Sequence, residues 1–336
     1  MNRIGIVGAG AWGTALSLLV RRAGPECVIW AREPEVVDSI NAGHENALFL
    51  PGIALDPSVR ATGELADMAG CDAVLLVAPA QHMRTVTSRL APILGRDVPV
   101  VVCAKGIEQE TLALMTEIVT ETLAGRPLAV LSGPTFAAEV AADLPTAVTL
   151  ATDGAAPAGA LAAAIGNPKF RIYHSDDLIG AEIGGAVKNV IAIACGIIEG
   201  QRFGNNARAA LITRGLAEMT RLSLAKGGRA ETMMGLCGLG DLTLTCASEQ
   251  SRNFSLGAAL GRGEALADVV GARRTVAEGV FSAAATTQLA TRRGIEMPIA
   301  EAVDAILTGA ESIGAAITAL LARPTGSEHG NAHGNA

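Results

Sequence analysis

Aromatic side chains are scarce: two tryptophans, one tyrosine and six phenylalanines make up 3% of 336 residues. The core must therefore be built from Ala, Val, Ile and Leu. Basic residues are outnumbered, 26 Lys and Arg against 33 Asp and Glu, leaving a formal charge of −7. That balance excludes a general attraction for nucleic acid or anionic lipid, so any bound phosphate must be gripped by a local site. Cysteine is sparse and dispersed. Cys27, Cys71, Cys103, Cys195, Cys237 and Cys246 form no CxxC pair and neighbour no histidine cluster. Buried, reduced thiols in a cytosolic protein suit them better than disulfides or zinc, and no metal is expected. Uninterrupted apolar runs are also lacking. Residues 4–20, behind a basic Met-Asn-Arg, superficially resemble a signal peptide. Gly8, Gly10, Trp12, Gly13 and Thr14 interrupt the run, however, and suit a strand, a turn and a helix. No other stretch comes near the 18 or more apolar residues of a membrane span. The expectation is a soluble, cytoplasmic protein with no membrane insertion.

What is present is enough to fold. Half the residues are hydrophobic and 18% are charged, which excludes a disordered chain. The length suits about two domains, with about three quarters of the unfolded chain's surface buried. In the first half, β-rich runs at Ile4–Val7, Val28–Trp30, Ala73–Val77, Val98–Cys103, Leu128–Leu131, Ala147–Leu150 and Phe170–Tyr173 alternate with helical stretches. The latter include Ala11–Ala23, Met83–Leu90 and Thr111–Leu123. Such alternation predicts a parallel sheet covered on both faces. From about Asp176 the strand signal stops, and helical periodicity runs through Leu178–Ile198, Ala207–Lys226, Phe254–Arg262, Phe281–Gly294 and Ile299–Ala322. The fold class expected is an α/β Rossmann-type domain over residues 1–178, followed by an all-α domain over 179–323. A tail over 324–336, rich in Gly, Asn and His, is expected to be disordered.

Gly8-Ala9-Gly10-Ala11-Trp12-Gly13 has GxGxxG spacing and lies between the first strand and the first helix. Gly8 permits the tight turn, Gly10 lets backbone approach a pyrophosphate, and Gly13 allows close packing of helix on strand. In that setting the motif points to a dinucleotide on the helix amino terminus. An NAD-selective site usually carries Asp or Glu after the second strand. Here Arg32 stands there, which favours NADP; Glu33 beside it leaves NAD possible. An exposed arginine opening a helix before Pro34 is the plainer account.

Lys105 ends a strand expected to be buried on both faces, where apolar burial of an ammonium is costly. Ser132-Gly133-Pro134-Thr135 repeats that position at the next strand. Within Glu182–Val190, Lys188 sits off the apolar stripe of Ile183, Val187 and Val190, with Gly184 and Gly185 one turn before it. Those glycines serve either close helix packing or an open slot for a ligand beside the amine. Desolvation and a second cation such as Lys105 would favour neutral Lys188, as a proton carrier for an alcohol and ketone pair requires. Asp241, in a second glycine cluster, could orient Lys188, accept a substrate hydroxyl, or cap its own turn. Ser251-Arg252-Asn253 precedes a helix and reads as an anion site or as helix caps.

These segments resemble bacterial NAD(P)-dependent glycerol-3-phosphate dehydrogenase, in order, from about Ile4 to Pro298. The matching pieces are GAGAWGTAL (8–16), WAR (30–32), NALFLPG (46–52), VAPAQ (77–81), KGIE (105–108), SGPTFAAEV (132–140), EIGGAVKNVIAIACGI (182–197), AALITRGLAEM (209–219), GLGDLTLTC (238–246), SRN (251–253) and VAEGV (276–280). The resemblance implies reversible hydride transfer between sn-glycerol 3-phosphate and dihydroxyacetone phosphate, for glycerophospholipid synthesis, in a 6-phosphogluconate-dehydrogenase-like architecture. It implies Lys188 as proton acceptor, with Lys105 and Asp241 in the catalytic group. Gly133, Thr135, Ser251, Arg252 and Asn253 become substrate contacts. Trp12, Arg32, Lys105, Ala137, Arg252, Val276 and Glu278 join Gly8, Gly10, Ala11 and Gly13 around the cofactor. A cytoplasmic homodimer is also implied. Ala11, Phe49 and Asn205-Asn206 depart from the residues usual there, Ser, Tyr and Asp-Asn. Two rival readings are a reductase of the same architecture acting on another hydroxy or keto acid, and a dinucleotide-sensing module without catalysis.

Overall fold

A computed structural model describes residues 1–271 and 277–324. The strands are β1 (Arg3–Val7), β2 (Glu26–Trp30), β3 (Glu45–Asn46), β4 (Leu50–Ala54), β5 (Arg60–Thr62), β6 (Ala73–Leu76), β7 (Val100–Val102), β8 (Leu128–Ser132), β9 (Thr146–Thr152) and β10 (Phe170–Ser175). Eight of them form one sheet in the order β10-β9-β8-β7-β6-β1-β2-β5. Strands β1, β6, β7 and β8 are apolar and almost wholly buried, as a sheet covered on both faces requires. Six helices accompany the sheet: α1 (Ala11–Ala23), α2 (Pro34–Gly43), α3 (Met83–Leu90), α4 (Met115–Thr122), α5 (Ala137–Ala141) and α6 (Ala158–Ile165). The chain passes from β1 outward to β2 and later returns to β6 on the other flank. This reversal leaves a crevice at the carboxyl ends of β1 and β6.

The sheet is not wholly parallel. Strand β9 runs antiparallel to β8, with Ser132 opposite Thr149 and Ala129 opposite Thr152. Between them lies a single five-residue helix, α5, too short a crossover to return the chain to the far edge. The segment 133–145 therefore stays at the carboxyl edge, beside the crevice. The small hairpin of β3 and β4 lies outside the expected strands, as does β5 at the sheet's edge.

The helical half comprises α7 (Leu178–Gly200), α8 (Gly204–Lys226), α9 (Ala230–Met233), α10 (Asp241–Cys246), α11 (Arg252–Gly261), α12 (Leu266–Gly271), α13 (Glu278–Arg292), α14 (Pro298–Thr308) and α15 (Ile313–Leu321). Helix α7 is its axis, buried from Gly180 to Ile197. By length and composition α7 could cross a bilayer, which corrects the expectation that no such stretch follows the amino terminus. Its most apolar window is instead 94% buried, as the core helix of a folded domain. The long run expected over Ile299–Ala322 is split at Gly309, whose φ of +74° ends α14. The start expected at Thr111 is delayed to Met115, because Leu112 adopts a φ of +62°.

Two buried carboxylates close helix ends. Glu182 accepts from the Thr116 amide at the start of α4, and Glu218 accepts from Ile299 and Ala300 at the start of α14. Burial pushes each carboxyl up to about 7, against the opposing effect of those hydrogen bonds. All six cysteines are buried and unpaired. Beyond Pro324, the expected tail lies outside the described residues.

Candidate active site

The first part of the site follows from β1. After Val7 the chain turns at Gly8 with φ +120°; a Cβ there would sit 2.8 Å from Ala78 N and Val77 C. A Cβ on Gly13 would lie 1.9 Å from Gly8 O, so α1 rests directly on the turn. At Gly10 the equivalent position has no neighbour within 4 Å. Helix α1 starts with no side-chain cap and no acid in its first turn. An open glycine in front of an uncapped helix amino terminus suits the diphosphate of a dinucleotide. Gly8, Gly10, Ala11, Trp12 and Gly13 thus lie together at this turn. Arg32 follows β2, the strand beside β1; its side chain is 72% exposed and paired with Glu33.

The second part lies two strands along the same edge, roughly 10 Å from the glycine turn by sheet spacing. Lys105, just past β7, donates from Nζ to Gly133 O at 3.0 Å and to Asp241 Oδ2 at 2.7 Å. Lys188, from α7, donates to Asp241 Oδ1 at 2.5 Å and to Thr245 Oγ1 at 2.8 Å. One fully buried carboxylate therefore holds two ammonium groups, one from the sheet and one from the helices. Burial pushes the Lys188 amine down to about 8; Asp241 opposes this and the Lys105 charge reinforces it. Such an amine exchanges a proton near neutrality.

The glycines beside Lys188 serve protein packing rather than an open slot. A Cβ on Gly184 would lie 2.2 Å from Cys237 O, and one on Gly185 would press Lys105 Cγ at 3.1 Å and Ser132 Oγ at 3.2 Å. Gly184 seats the π-helical turn at Leu236–Gly240, which delivers Asp241; Gly185 makes room for the stem of Lys105.

The third part gathers at the starts of α11 and α13. Arg252 opens α11 and is exposed. Ser251 is the cap of that helix, accepting from Phe254 N at 3.2 Å. Asn253 is buried between helices: its Nδ2 donates to Asn189 Oδ1 at 2.9 Å, and its Oδ1 accepts from Gly279 N at 3.0 Å. Glu278 opens α13; burial raises its carboxyl pKa and the Arg252 charge opposes the rise. Its Oε2 is buried with no hydrogen-bond partner. Thr135 donates to Gly133 O at 3.3 Å, and Ala137 opens α5 at the same edge. Val276 lies outside the described residues.

Two family descriptions match the chain: NAD-dependent glycerol-3-phosphate dehydrogenase N-terminus over residues 3–157 and the corresponding C-terminus over 177–318. The chain belongs to this family. Glycerol-3-phosphate dehydrogenase [NAD(P)+] of Parvibaculum lavamentivorans is 61% identical over 97% of this chain and 98% of its own. That of Caulobacter vibrioides is 57% identical over 96% and 98%. A crystal structure of glycerol-3-phosphate dehydrogenase from Coxiella burnetii superposes with a TM-score of 0.92 at 40% identity, covering 96% of this chain and 99% of that one. Against this family background, two polar residues at the site escape sequence reasoning. Thr245, one turn after Asp241, accepts from Lys188 and donates to Asp241 O at 2.6 Å. Asn46, fully buried, donates from Nδ2 to Ala9 O and Thr14 Oγ1, both at 2.8 Å, and so braces the glycine turn. The i+4 spacing from Asp241 is a signal for Thr245; for Asn46 only its place in NALFLPG hints at a role.

Proposed function

We propose that this chain catalyses the reversible NAD(P)-dependent interconversion of sn-glycerol 3-phosphate and dihydroxyacetone phosphate, in the direction that supplies glycerol phosphate for phospholipid synthesis. When bound, the nicotinamide cofactor supplies the two-electron carrier that takes hydride from C2 or returns it. Gly8, Gly10, Ala11, Trp12 and Gly13 hold the diphosphate, Arg32 reaches the adenosine end and favours NADP, and Ala137 and Glu278 line the remainder. Lys188 takes the C2 hydroxyl proton during oxidation and gives it back during reduction. Asp241 and Thr245 fix the amine, while Lys105 holds Asp241 from the other side and faces substrate and cofactor together. Gly133 and Thr135 border the reacting carbon. Arg252, with Ser251 and Asn253 at the start of α11, grips the phosphate, and that remote binding energy orients C2. The observation that carries this reading is the Asp241 carboxylate shared by two lysines, one of them buried with its proton affinity lowered to about 8.

The division into a cofactor domain over 1–178 and a catalytic helical domain over 179–323 accords with the start of α7 at Leu178. The cytoplasmic homodimer rests on the family resemblance. A side-by-side assay decides the reaction: dihydroxyacetone phosphate with NADPH and with NADH, against a ketopantoate and 3-keto-acid panel. Only the phosphorylated ketone is expected to support turnover. Lys188→Met should lower turnover by about 10²–10⁴-fold with dinucleotide binding retained; a rate near that of the parent would remove the lysine from the chemistry.

A further inference from the structure

The two bacterial relatives are named for NAD(P)+, and the pair at the end of β2 offers a physical reason for use of either dinucleotide, on the proposed reading that the glycine turn holds NAD(P). We propose that Glu33 sets the NADP-to-NAD balance by competing with the cofactor's 2′-phosphate for the guanidinium of Arg32. Strands β1 and β2 pair in parallel with Val7 opposite Trp30, and Gly8 N donates to Trp30 O at 3.1 Å. Residues just past Trp30 therefore emerge beside the glycine turn, where the adenosine ribose of a dinucleotide lies. There Arg32 donates from Nε and Nη2 to the same oxygen, Glu33 Oε1, at 3.0 and 2.7 Å. The arginine side chain is 72% exposed and the glutamate 27%.

Glu33 occupies the cap position of α2, yet its side chain takes none of that helix's amides. The cap is made by its backbone carbonyl, which accepts from Val36 and Val37. The carboxylate is thus free of any duty to the helix, and Arg32 is what it holds. A guanidinium already neutralised by a carboxylate attracts a phosphate dianion less than a bare one, and the carboxylate repels that dianion directly. The same oxygen atoms can accept a hydrogen bond from a 2′-hydroxyl, the contact that acidic residues make to NAD. Glu33 is then the repulsive element against one cofactor and the attractive element for the other. Exposed ion pairs of this kind are weak, so Arg32 can leave Glu33 when a 2′-phosphate arrives.

Glu33→Gln keeps size and backbone cap and removes only the charge. Dissociation constants for NADPH and NADH, read from nicotinamide fluorescence without substrate, test the assignment. The NADPH constant should fall by about three- to tenfold, while that for NADH stays level or rises. In the parent and the variant alike, raising the salt should weaken NADPH more than NADH. An unchanged ratio, or a shift toward NADH, overturns the proposal. So does an Arg32→Ala variant that binds NADPH as well as the parent, because the guanidinium would then not meet the 2′-phosphate. A parent that binds both dinucleotides but leaves dihydroxyacetone phosphate unreduced would sink the proposed reaction alone.

Discussion

Lys188 offers the sharpest test at the scale of single residues. As the proposed proton acceptor it must be neutral for oxidation and charged for reduction. Its amine is held down at about 8, chiefly by burial. In glycerol 3-phosphate oxidation, kcat/KM should therefore rise with pH and level off above about 8, whereas ketone reduction should decline through the same range. Lys105→Met removes a cation that lowers the Lys188 amine, so the oxidation midpoint should move up. Asp241→Asn removes the anion that raises it, so that midpoint should move down. Rate profiles of the three proteins from pH 6 to 10 check both signs, and midpoints that stay together would separate Lys188 from the titration. The two lysines stood out in the sequence because an ammonium amid apolar strands and helices has few structural explanations, whereas Asp241 kept three readings until its contacts with both amines were seen. Thr245 and Asn46 did not stand out, because threonine and asparagine suit so many turns and caps that only their contacts distinguish them. Ser251 and Asn253 differ again. Sequence left them as an anion site or as helix caps; Ser251 does cap α11, while the interhelical clamp made by Asn253 was not foreseen.

Among elements, α7 and α11 meet backbone to backbone. Gly196 and Gly200 on α7 face Gly257 and Gly261 on α11, two small residues four apart on each helix. A Cβ on Gly257 would lie 2.1 Å from Ile193 O, and one on Gly196 would lie 2.0 Å from Phe254 O. Both obstacles are backbone, so a side chain cannot simply swing away. Gly257→Ala should lower the unfolding free energy by about 1–3 kcal/mol, the usual cost of overpacking a filled core. Gly314→Ala on α15, with no neighbour within 4 Å, should change it by less than about 1 kcal/mol, in the stabilising direction. Urea titrations of the two variants beside the parent give the comparison, and equal stability at Gly257 would refute the close approach. Helical period made α1 and α3 legible to the residue, because amphipathic spacing and flanking breakers agree. Strand direction was not legible in the same way. A buried apolar run reads alike whether its neighbour is parallel or antiparallel, so β9 was expected to join a parallel sheet. The glycines of α7 had two readings, and packing against the turn at Leu236–Gly240 and against Lys105 selected the first.

At the scale of the whole molecule, the proposed catalytic cluster draws on both halves. Asp241 belongs to the helical half and is 136 residues from Lys105 and 53 from Lys188. No spacing rule foretells that one carboxylate serves both amines; the family resemblance names all three residues, and the fold supplies the contact. The proposed phosphate grip likewise belongs to a different half of the chain from the glycine turn, since Arg252 opens α11 while the turn follows β1. A substrate phosphate bound there would convert binding energy into alignment of C2. Truncating Arg252 to alanine should cost about 2–5 kcal/mol in kcat/KM for dihydroxyacetone phosphate, tens to thousands of times in rate. The parent should lose a similar amount when offered dihydroxyacetone, which lacks the phosphate. Arg252 also faces Glu278, at the proposed cofactor side, so the combination of variant and truncated substrate separates its two roles. If Arg252 acts through the substrate phosphate alone, Arg252→Ala should leave the slow reduction of dihydroxyacetone unchanged. If it also holds the cofactor, that residual rate should fall again, with a raised KM for NADPH. A parent enzyme that reduced both ketones equally well would show that no phosphate grip exists on α11.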